Sequence, residues 1–199
     1  MVVHNRNLTL PNVLTVLRLL ITPGFILAFL NERLVEAWWL FTAAGVTDAL
    51  DGFLARVLDQ RSRLGAVLDP LADKVLVVTA FLLLGHEDWL PQWLVVTVIS
   101  RDVFIVGGMA LLTMWGVNVL EHVAPSLLSK CNTTAQLALV FLVLAQRTFG
   151  FGWPSVELAL VAGVGALTVT TGMHYIVVGL ALFPAPEKDQ DSGKDTDED

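Results

Sequence analysis

The sequence has few charged residues and very little cysteine. Charged residues make up 16% of the 199 residues and hydrophobic residues 55%, with a mean hydropathy of +0.68, whereas about 25% of an average soluble domain is charged. The composition therefore predicts an integral membrane protein. The single cysteine, Cys131, excludes an internal disulfide framework. Because Cys131 lies in an apolar stretch, we expect a packing residue rather than a nucleophile.

The chain shows no signal-peptide cleavage pattern, internal repeat or second apolar domain. No run of small residues follows the first apolar stretch, so we expect that stretch to remain as a helix. We predict one membrane domain over 1–185 and an acidic tail over 186–199. The tail holds seven acidic residues against two lysines, a net charge of -5 within the -7 of the chain. This composition is typical of a disordered, solvated extension, and it argues weakly against nucleic-acid binding.

Six apolar stretches are each close to the ~20 residues that a helix needs to cross the hydrocarbon core of a bilayer. Short polar or turn-forming segments separate them. We therefore predict an all-α integral membrane protein with six transmembrane helices. The predicted spans are 11–30, 37–57, 67–85, 92–115, 127–147 and 155–182.

The basic residues that flank these spans are divided unevenly between the two sides. Basic residues concentrate on the cytoplasmic side of membrane proteins, so both termini are predicted to be cytoplasmic. The same rule places the end of the second span and the start of the third near the cytoplasmic leaflet. The two groups are Arg6, Arg56, Arg61, Arg63, Lys130 and the tail lysines on the cytoplasmic side, and Arg33 and Arg147 on the other.

Four aspartates interrupt the apolar sequence: Asp48, Asp51, Asp69 and Asp73. A carboxylate near the middle of a transmembrane helix costs roughly 2.5–3.5 kcal/mol on insertion scales, so four oppose insertion by on the order of 10 kcal/mol. The first two are three residues apart and the last two are four apart, so each pair shares one face of its helix. Since the loop between the helices is short, we predict antiparallel neighbours whose acidic faces converge.

The residue types around these aspartates indicate a site for a metal-bound diphosphate. Several carboxylates in one cleft suit Mg²⁺ or Mn²⁺, and the absence of His and Cys among them argues against zinc. Gly52 and Ala55 allow a ligand to approach the helix closely, and Arg56 can pair with a phosphate. Gly65 fits a turn into the third helix, and Pro70 is tolerated if it lies in the first turn of that helix.

A purely structural alternative is that the aspartates only pair with nearby basic residues. Salt bridges could account for one or two of the carboxylates, but four acids on facing helices beside small residues exceed what pairing needs, so a functional site is favoured. The candidate structural partners are Arg56, Arg61, Arg63 and Lys74.

The spacing Asp48-x2-Asp51-Gly52-x2-Ala55-Arg56-x8-Gly65-x3-Asp69-x3-Asp73 resembles, at all eight specified positions, the signature of the CDP-alcohol phosphatidyltransferase family. Over spans one to five, the chain is similar to the branch that holds phosphatidylglycerophosphate synthases and single-active-site cardiolipin synthases. The stretches that carry this similarity are Pro11-Asn12-Val-Leu-Thr15 with Arg18, Asp69-Pro70-Leu-Ala-Asp73-Lys74, Ser100-Arg101-Asp102 and Ser129-Lys130-Cys-Asn132-Thr133-Thr-Ala-Gln136.

The resemblance implies a fold, a donor and a mechanism. Six transmembrane helices would surround a polar cavity open to the cytoplasm. The enzyme would transfer a phosphatidyl group from CDP-diacylglycerol to an acceptor hydroxyl, with release of CMP and with two Mg²⁺ or Mn²⁺ ions as cofactors. By motif position, the implied residues are Asp48, Asp51, Asp69 and Asp73 at the metals, Asp73 also as the general base, and Asp48, Gly52, Ala55, Arg56 and Gly65 at the CDP moiety.

The implied acceptor is a glycerol-type alcohol, either glycerol 3-phosphate or phosphatidylglycerol. Phosphatidylglycerophosphate synthases typically carry Gly-Lys-x-Lys-Thr where this chain has 129–133. Asn132 in place of the second lysine suits a less charged head group, whereas glycerol 3-phosphate is the commoner acceptor in the branch, so both stay open. Arg101, Lys130 and Asn132 are the candidate acceptor-binding residues. Arg101 could instead pair with Asp102 or a signature aspartate, and Lys130 could extend to the membrane interface.

Other functions are less favoured. A cation transporter could use the acidic cleft, but its sequence should show interrupted helices in corresponding halves or a repeat. Serine, inositol phosphate or a choline-type alcohol as acceptor would keep the signature, yet the sequence outside the signature opposes them. The resemblance also implies a bacterial inner-membrane enzyme with a cytoplasmic active site, membrane lipids as partners and a homodimer.

Overall fold

The computed structural model describes residues 10–57, 63–114 and 127–181, and every regular element in these ranges is an α-helix. Each predicted apolar stretch corresponds to one of these helices. The six helices are α1 (Leu10–Leu30), α2 (Leu34–Val57), α3 (Arg63–His86), α4 (Gln92–Met114), α5 (Leu127–Phe149) and α6 (Pro154–Ala181).

The start of α3 corrects two expectations. The helix begins at Arg63, so Gly65 lies inside it rather than in a preceding turn, and Pro70 is its eighth residue rather than part of its first turn. Arg, Leu and Ala are good helix formers, which explains why the helix extends ahead of the apolar run. A proline at this depth has no N–H for the carbonyl one turn earlier, so it weakens the helix locally.

Two helices in the described ranges are long and apolar enough to cross a membrane, judged by length and composition: Leu127–Phe149 and Pro154–Gly179. Val16–Leu30 and Lys74–His86 are apolar stretches of α1 and α3, and the side chains that precede them in each helix are outside the described part of the structure. Charged residues lie within α2, α3 and α4, among them the signature aspartates and Arg101.

The helices pack as a bundle around one apolar core. Helix α1 packs on α2 and α3, α5 packs on α2, α3 and α6, and α4 packs on α3 and α6. Aromatic side chains join the first two helices, with the rings of Phe25 and Phe41 5.8 Å apart. The largest fully buried apolar side chains are Phe25, Phe81, Leu76, Leu84, Leu90, Leu94, Leu139 and Leu144.

The alternating helix directions give the bundle two distinct ends. The loops 31–33, 87–91 and 150–153 meet at the end that we term the loop end, where the ring of Trp89 lies 5.4 Å from that of Phe29 and 5.7 Å from the guanidinium of Arg147. Three left-handed residues terminate helices there: Glu32 (φ 59°), Asp88 (φ 56°) and Gly150 (φ 69°). The signature end, where α2 ends and α3 begins, is opposite.

Candidate functional site

The backbone places all four signature aspartates near the signature end. Asp48 and Asp51 lie in the last turns of α2, and Asp69 and Asp73 lie in the second and third turns of α3. The side chains of 51–73 are outside the described part of the structure, so the predicted convergence of the carboxylates stays a prediction. The same holds for the roles assigned to Gly52, Ala55, Arg56 and Gly65, and the remaining described residues include no cluster of three or more His, Cys, Asp or Glu side chains.

Asp48 is held by an arginine from the neighbouring helix. The Nη2 of Arg18 in α1 lies 2.7 Å from Oδ1 of Asp48, and the arginine is fully buried whereas 38% of the Asp48 side chain is exposed. A buried guanidinium needs an anionic partner. Arg18 therefore fixes the position of a carboxylate that still reaches open space.

A second ion-pair cluster links α3 to α4. The ammonium of Lys74, the residue after Asp73, donates to both carboxylate oxygens of Asp102 at 2.8 and 2.7 Å. Nη1 of Arg101 donates to Oδ1 of the same carboxylate at 2.8 Å. Asp102 is buried and only 30% of the Lys74 side chain is exposed. The pairing of Arg101 with Asp102 that the sequence allowed is present. Lys74 also pairs with Asp102, and any pairing of Lys74 with Asp51, Asp69 or Asp73 lies outside the described side chains.

Arg101 extends this cluster to the last two helices. Its Nη2 donates to Oγ of Ser129 in α5 at 2.8 Å, and its guanidinium carbon lies 5.8 Å from the ring centroid of Tyr175 in α6. A Cβ added at Gly172 would lie 3.4 Å from Cγ of Arg101, so α6 approaches the arginine closely at this position. Two cations, Lys74 and Arg101, thus share one carboxylate. Among the described side chains, these three therefore carry one net positive charge that an anionic ligand could neutralise.

The inner face of α5 carries two buried amides beside this cluster. Asn132 and Gln136 are fully buried and lie three and seven residues after Ser129, a spacing that puts all three on one helix face. Oδ1 of Asn132 accepts a hydrogen bond from Thr168 in α6 at 3.1 Å. Within the described ranges, Nδ2 of Asn132 and both amide atoms of Gln136 have no hydrogen-bond partner.

Unpartnered buried amides favour a polar ligand or water at this face. A buried polar group without a partner costs about 1–3 kcal/mol, and three such atoms lie within one turn of α5. Lys130 and Cys131, in contrast, are exposed. Lys130 and Asn132 therefore lie on different faces of α5, and the contact between Lys130 and an acceptor stays a prediction.

Four residues of this arrangement were not among the predicted site residues: Arg18, Asp102, Gln136 and Thr168. The sequence contains a signal for two of them, Arg18 and Gln136. Arg18 is the one charged residue of α1, and Gln136 lies one turn after Asn132 on the same face of its helix. Isolated polar side chains in apolar helices face the bundle interior.

Comparison with known proteins identifies the family that this arrangement belongs to. The family model for CDP-alcohol phosphatidyltransferase matches residues 8–182. The chain is 36% identical over 184 residues to the CDP-diacylglycerol–glycerol-3-phosphate 3-phosphatidyltransferase of Cereibacter sphaeroides, a match covering 84% of this chain and 81% of the relative.

Similar identities are found with proteins that are named cardiolipin synthases. A putative cardiolipin synthase of Mycobacterium tuberculosis is 39% identical over 119 residues, which cover 59% of this chain and 56% of the relative. The CMP-forming cardiolipin synthase of Rattus norvegicus is 35% identical over 157 residues, which cover 72% of this chain and 52% of the relative. The match therefore spans little more than half the length of these two relatives.

Proposed function

Because the chain belongs to the CDP-alcohol phosphatidyltransferase family, we propose that it transfers a phosphatidyl group from CDP-diacylglycerol to a glycerol-type acceptor and releases CMP. The observation that carries the proposal is the complete signature on α2 and α3, within a chain that matches the family model over 8–182. The ion pair between Arg18 and Asp48 supports it, because a buried cation holds the first signature carboxylate in a partly exposed position.

The donor site is formed by the signature itself. Asp48, Gly52, Ala55, Arg56 and Gly65 bind the CDP moiety in this proposal, with the arginine on a phosphate and the small residues allowing close approach. The donor set fits two Mg²⁺ or Mn²⁺ ions, since carboxylate oxygens are the ligands that these ions prefer. Their proposed ligands are Asp48, Asp51, Asp69 and Asp73, and the bound ions would supply charge neutralisation at the diphosphate.

Asp73 is the proposed general base. Its carboxylate accepts the proton of the acceptor hydroxyl while the hydroxyl oxygen forms a bond to the lipid-side phosphorus. The bond from that phosphorus to the oxygen of the CMP phosphate breaks, and CMP leaves. The hydrogen bonds between Lys74 and Asp102 support this role, because they anchor α3 at the residue next to Asp73.

The acceptor is proposed to enter along the inner face of α5. The shared carboxylate of Asp102 leaves one positive charge between Arg101 and Lys74, which suits a single phosphate group. Asn132 and Gln136 offer neutral hydrogen-bonding groups beyond it. Phosphatidylglycerol carries a singly charged phosphodiester and a free glycerol, which match one net positive charge and neutral amides. Glycerol 3-phosphate carries a doubly charged phosphate monoester, which matches them less well. We therefore place phosphatidylglycerol first and glycerol 3-phosphate second.

The proposed enzyme is an integral membrane protein with both ends and the active site on the cytoplasmic side of a bacterial inner membrane. Six spans within 1–185 surround the polar cavity, and 186–199 form the acidic tail. The two long apolar helices and the distribution of basic residues support this topology. The proposed homodimer is testable by light scattering of the purified protein in detergent.

One assay tests the function and the order of acceptors. Purified protein in detergent receives CDP-diacylglycerol and Mg²⁺, with phosphatidylglycerol or glycerol 3-phosphate supplied separately, and CMP release is measured. We expect release that depends on an acceptor and is faster with phosphatidylglycerol. No CMP release with either acceptor would refute the glycerol assignment, and ion flux through reconstituted protein without CMP release would favour a transporter.

A matched pair of variants tests the acceptor face. Asn132→Lys adds a cation on the inner face and should raise the kcat/KM ratio of glycerol 3-phosphate to phosphatidylglycerol by about tenfold, the effect of one charge-assisted hydrogen bond. Cys131→Lys adds the same charge to the exposed neighbouring position and should leave the ratio unchanged. Equal effects of both variants would remove Asn132 from the acceptor site.

A further inference from the structure

A second candidate site lies at the loop end, opposite the signature. A cavity of about 650 Å³ opens there between the loop 87–91, the last turn of α5 and the first turns of α6. Its volume falls within the range of about 300–1,000 Å³ that small-molecule sites occupy. None of the signature residues lines it. We term it the loop-end cavity.

A buried amide lines the loop-end cavity without a full set of partners. Gln146 is 7% exposed, and its Oε1 accepts the backbone N–H of Trp153 at 3.1 Å. Its Nε2 has no hydrogen-bond partner among the residues that the structure describes. A buried NH₂ group of this kind is satisfied when a ligand presents an acceptor oxygen.

The adjacent residue supplies a positive charge to the same cavity. Arg147 lines it, and its guanidinium stacks over the ring of Trp89 at 5.7 Å. Arg147 forms no ion pair with any side chain that the structure describes. An arginine beside an amide donor is a typical partner of a phosphate group.

Two carboxylates on the cavity wall disfavour the binding of a ligand that carries only negative charge. Asp88 and Glu157 both line the cavity and form no salt bridge with another described residue, although Gln92 lies 3.5 Å from Oδ1 of Asp88. One cation and two anions give the wall a net negative charge. A ligand that carries both a phosphate and an amine matches this arrangement, because each of its charges meets the opposite charge.

The surroundings of the cavity favour a lipid as the source of such a ligand. Leu158 lines the cavity and is 70% exposed, and the neighbouring Trp153 and Val156 are exposed as well. An apolar surface beside a polar cavity accommodates acyl chains while the head group is bound. A soluble phosphate ester would gain nothing from that surface.

We propose that the loop-end cavity binds the head group of a phospholipid that carries a primary amine. Gln146 and Arg147 bind the phosphate, and Asp88 and Glu157 accept hydrogen bonds from the ammonium. A primary ammonium has three N–H donors, whereas a quaternary choline has none, so the carboxylates discriminate between the two. This site is independent of the proposed transfer reaction, and the absence of CMP release would leave it unaffected.

Lipid titration tests the proposal directly. Purified full-length protein in a phosphate-free, uncharged detergent is titrated with short-chain phosphatidylethanolamine, phosphatidylcholine or phosphatidylglycerol, and separately with soluble phosphoethanolamine. Bound ligand is counted by native mass spectrometry. We expect phosphatidylethanolamine to bind at least about tenfold more tightly than each of the other three ligands. Compared with phosphatidylcholine and phosphatidylglycerol, it gains a charge-assisted contact of its ammonium. Compared with phosphoethanolamine, it gains the apolar contacts of its acyl chains.

Variants at the loop end separate head-group binding from general lipid adhesion. Arg147→Met and Gln146→Leu should each weaken phosphatidylethanolamine binding by about tenfold. Arg33→Met is the matched control, because Arg33 is an exposed arginine at the same end that pairs with Glu36 at 3.4 Å and does not line the cavity. Arg147→Met alone decides the test if Gln146→Leu does not fold, since Arg147 is at the surface.

Three results would overturn the proposal. Equal affinity for the three lipids would show that no head group is selected. Unchanged affinity in folded Arg147→Met would remove the phosphate contact. Soluble phosphoethanolamine binding as tightly as the lipid would show that the apolar surface contributes nothing and that the ligand is not a lipid.

Discussion

The ammonium of Lys74 lies 2.8 and 2.7 Å from the two carboxylate oxygens of Asp102, and this pair joins α3 to α4 directly after Asp73. The same carboxylate also accepts a hydrogen bond from Arg101. The buried carboxylate of Asp102 therefore partly neutralises the charges of Lys74 and Arg101. It also holds α3 and α4 together next to the proposed base.

Asp102→Asn should destabilise the protein and reduce CMP release together. Removing one member of a buried ion pair costs about 3–5 kcal/mol, and we expect about 3 kcal/mol because 30% of the Lys74 side chain reaches solvent. Thermal unfolding in detergent measures the stability. Glu36→Gln is the control, since it breaks the exposed pair with Arg33 and should change stability by less than about 0.5 kcal/mol. Equal effects of the two variants would contradict a structural role for Asp102.

Arg18→Met should lower the kcat/KM for CDP-diacylglycerol by about 10- to 100-fold, the usual effect of removing a residue that orients a metal ligand. Arg18 holds Asp48 at 2.7 Å from a fully buried position, so its loss frees the carboxylate to move. Steady-state CMP release measures the effect. Arg18→Lys keeps the charge and should recover part of the activity, whereas full activity of Arg18→Met would show that Asp48 needs no such support.

Asp73→Asn should abolish nearly all turnover while the protein still folds and binds divalent cations. Asparagine has a similar shape but cannot accept the proton of the acceptor hydroxyl. Single-turnover CMP release and calorimetric titration with Mn²⁺ measure the two properties separately. Activity close to that of the unsubstituted protein would assign the base to another residue.

The positions of the helices could be predicted from the sequence because apolar runs of about 20 residues determine them. The run 11–30 corresponds to α1, and 92–115 corresponds to α4. The start of α3 was predicted at 67 but lies at Arg63, since hydropathy marks the apolar part of a helix and not its polar first turns.

The partners of the charged residues could not be predicted in the same way. Arg18 and Asp48 are thirty residues apart in sequence, and Lys74 and Asp102 are separated by 28. Which helices become neighbours, and which faces meet, depends on packing between helices rather than on local spacing. Local spacing did identify the signature, because each pair of its aspartates lies within one helix.

The contact between α3 and α4 depends on a glycine. A Cβ added at Gly85 would lie 2.7 Å from Cγ2 of Val95, which is 5% exposed and stiff because it is β-branched. Gly85→Ala should therefore cost about 1–3 kcal/mol. At Gly163 a Cβ meets nothing within 4 Å, so Gly163→Ala should be neutral or stabilise by up to about 1 kcal/mol. Unfolding of both variants in detergent measures the difference, and equal stabilities would contradict the close helix contact.

The most direct test of the proposed reaction is the stoichiometry of its products. Purified protein is incubated with CDP-diacylglycerol, Mg²⁺ and phosphatidylglycerol or glycerol 3-phosphate, and both the CMP and the new phospholipid are quantified. Phosphatidyl transfer predicts equal amounts of CMP and of a lipid that contains the acceptor. CMP accompanied by phosphatidic acid instead would indicate hydrolysis, and the absence of both products would contradict the proposed transfer.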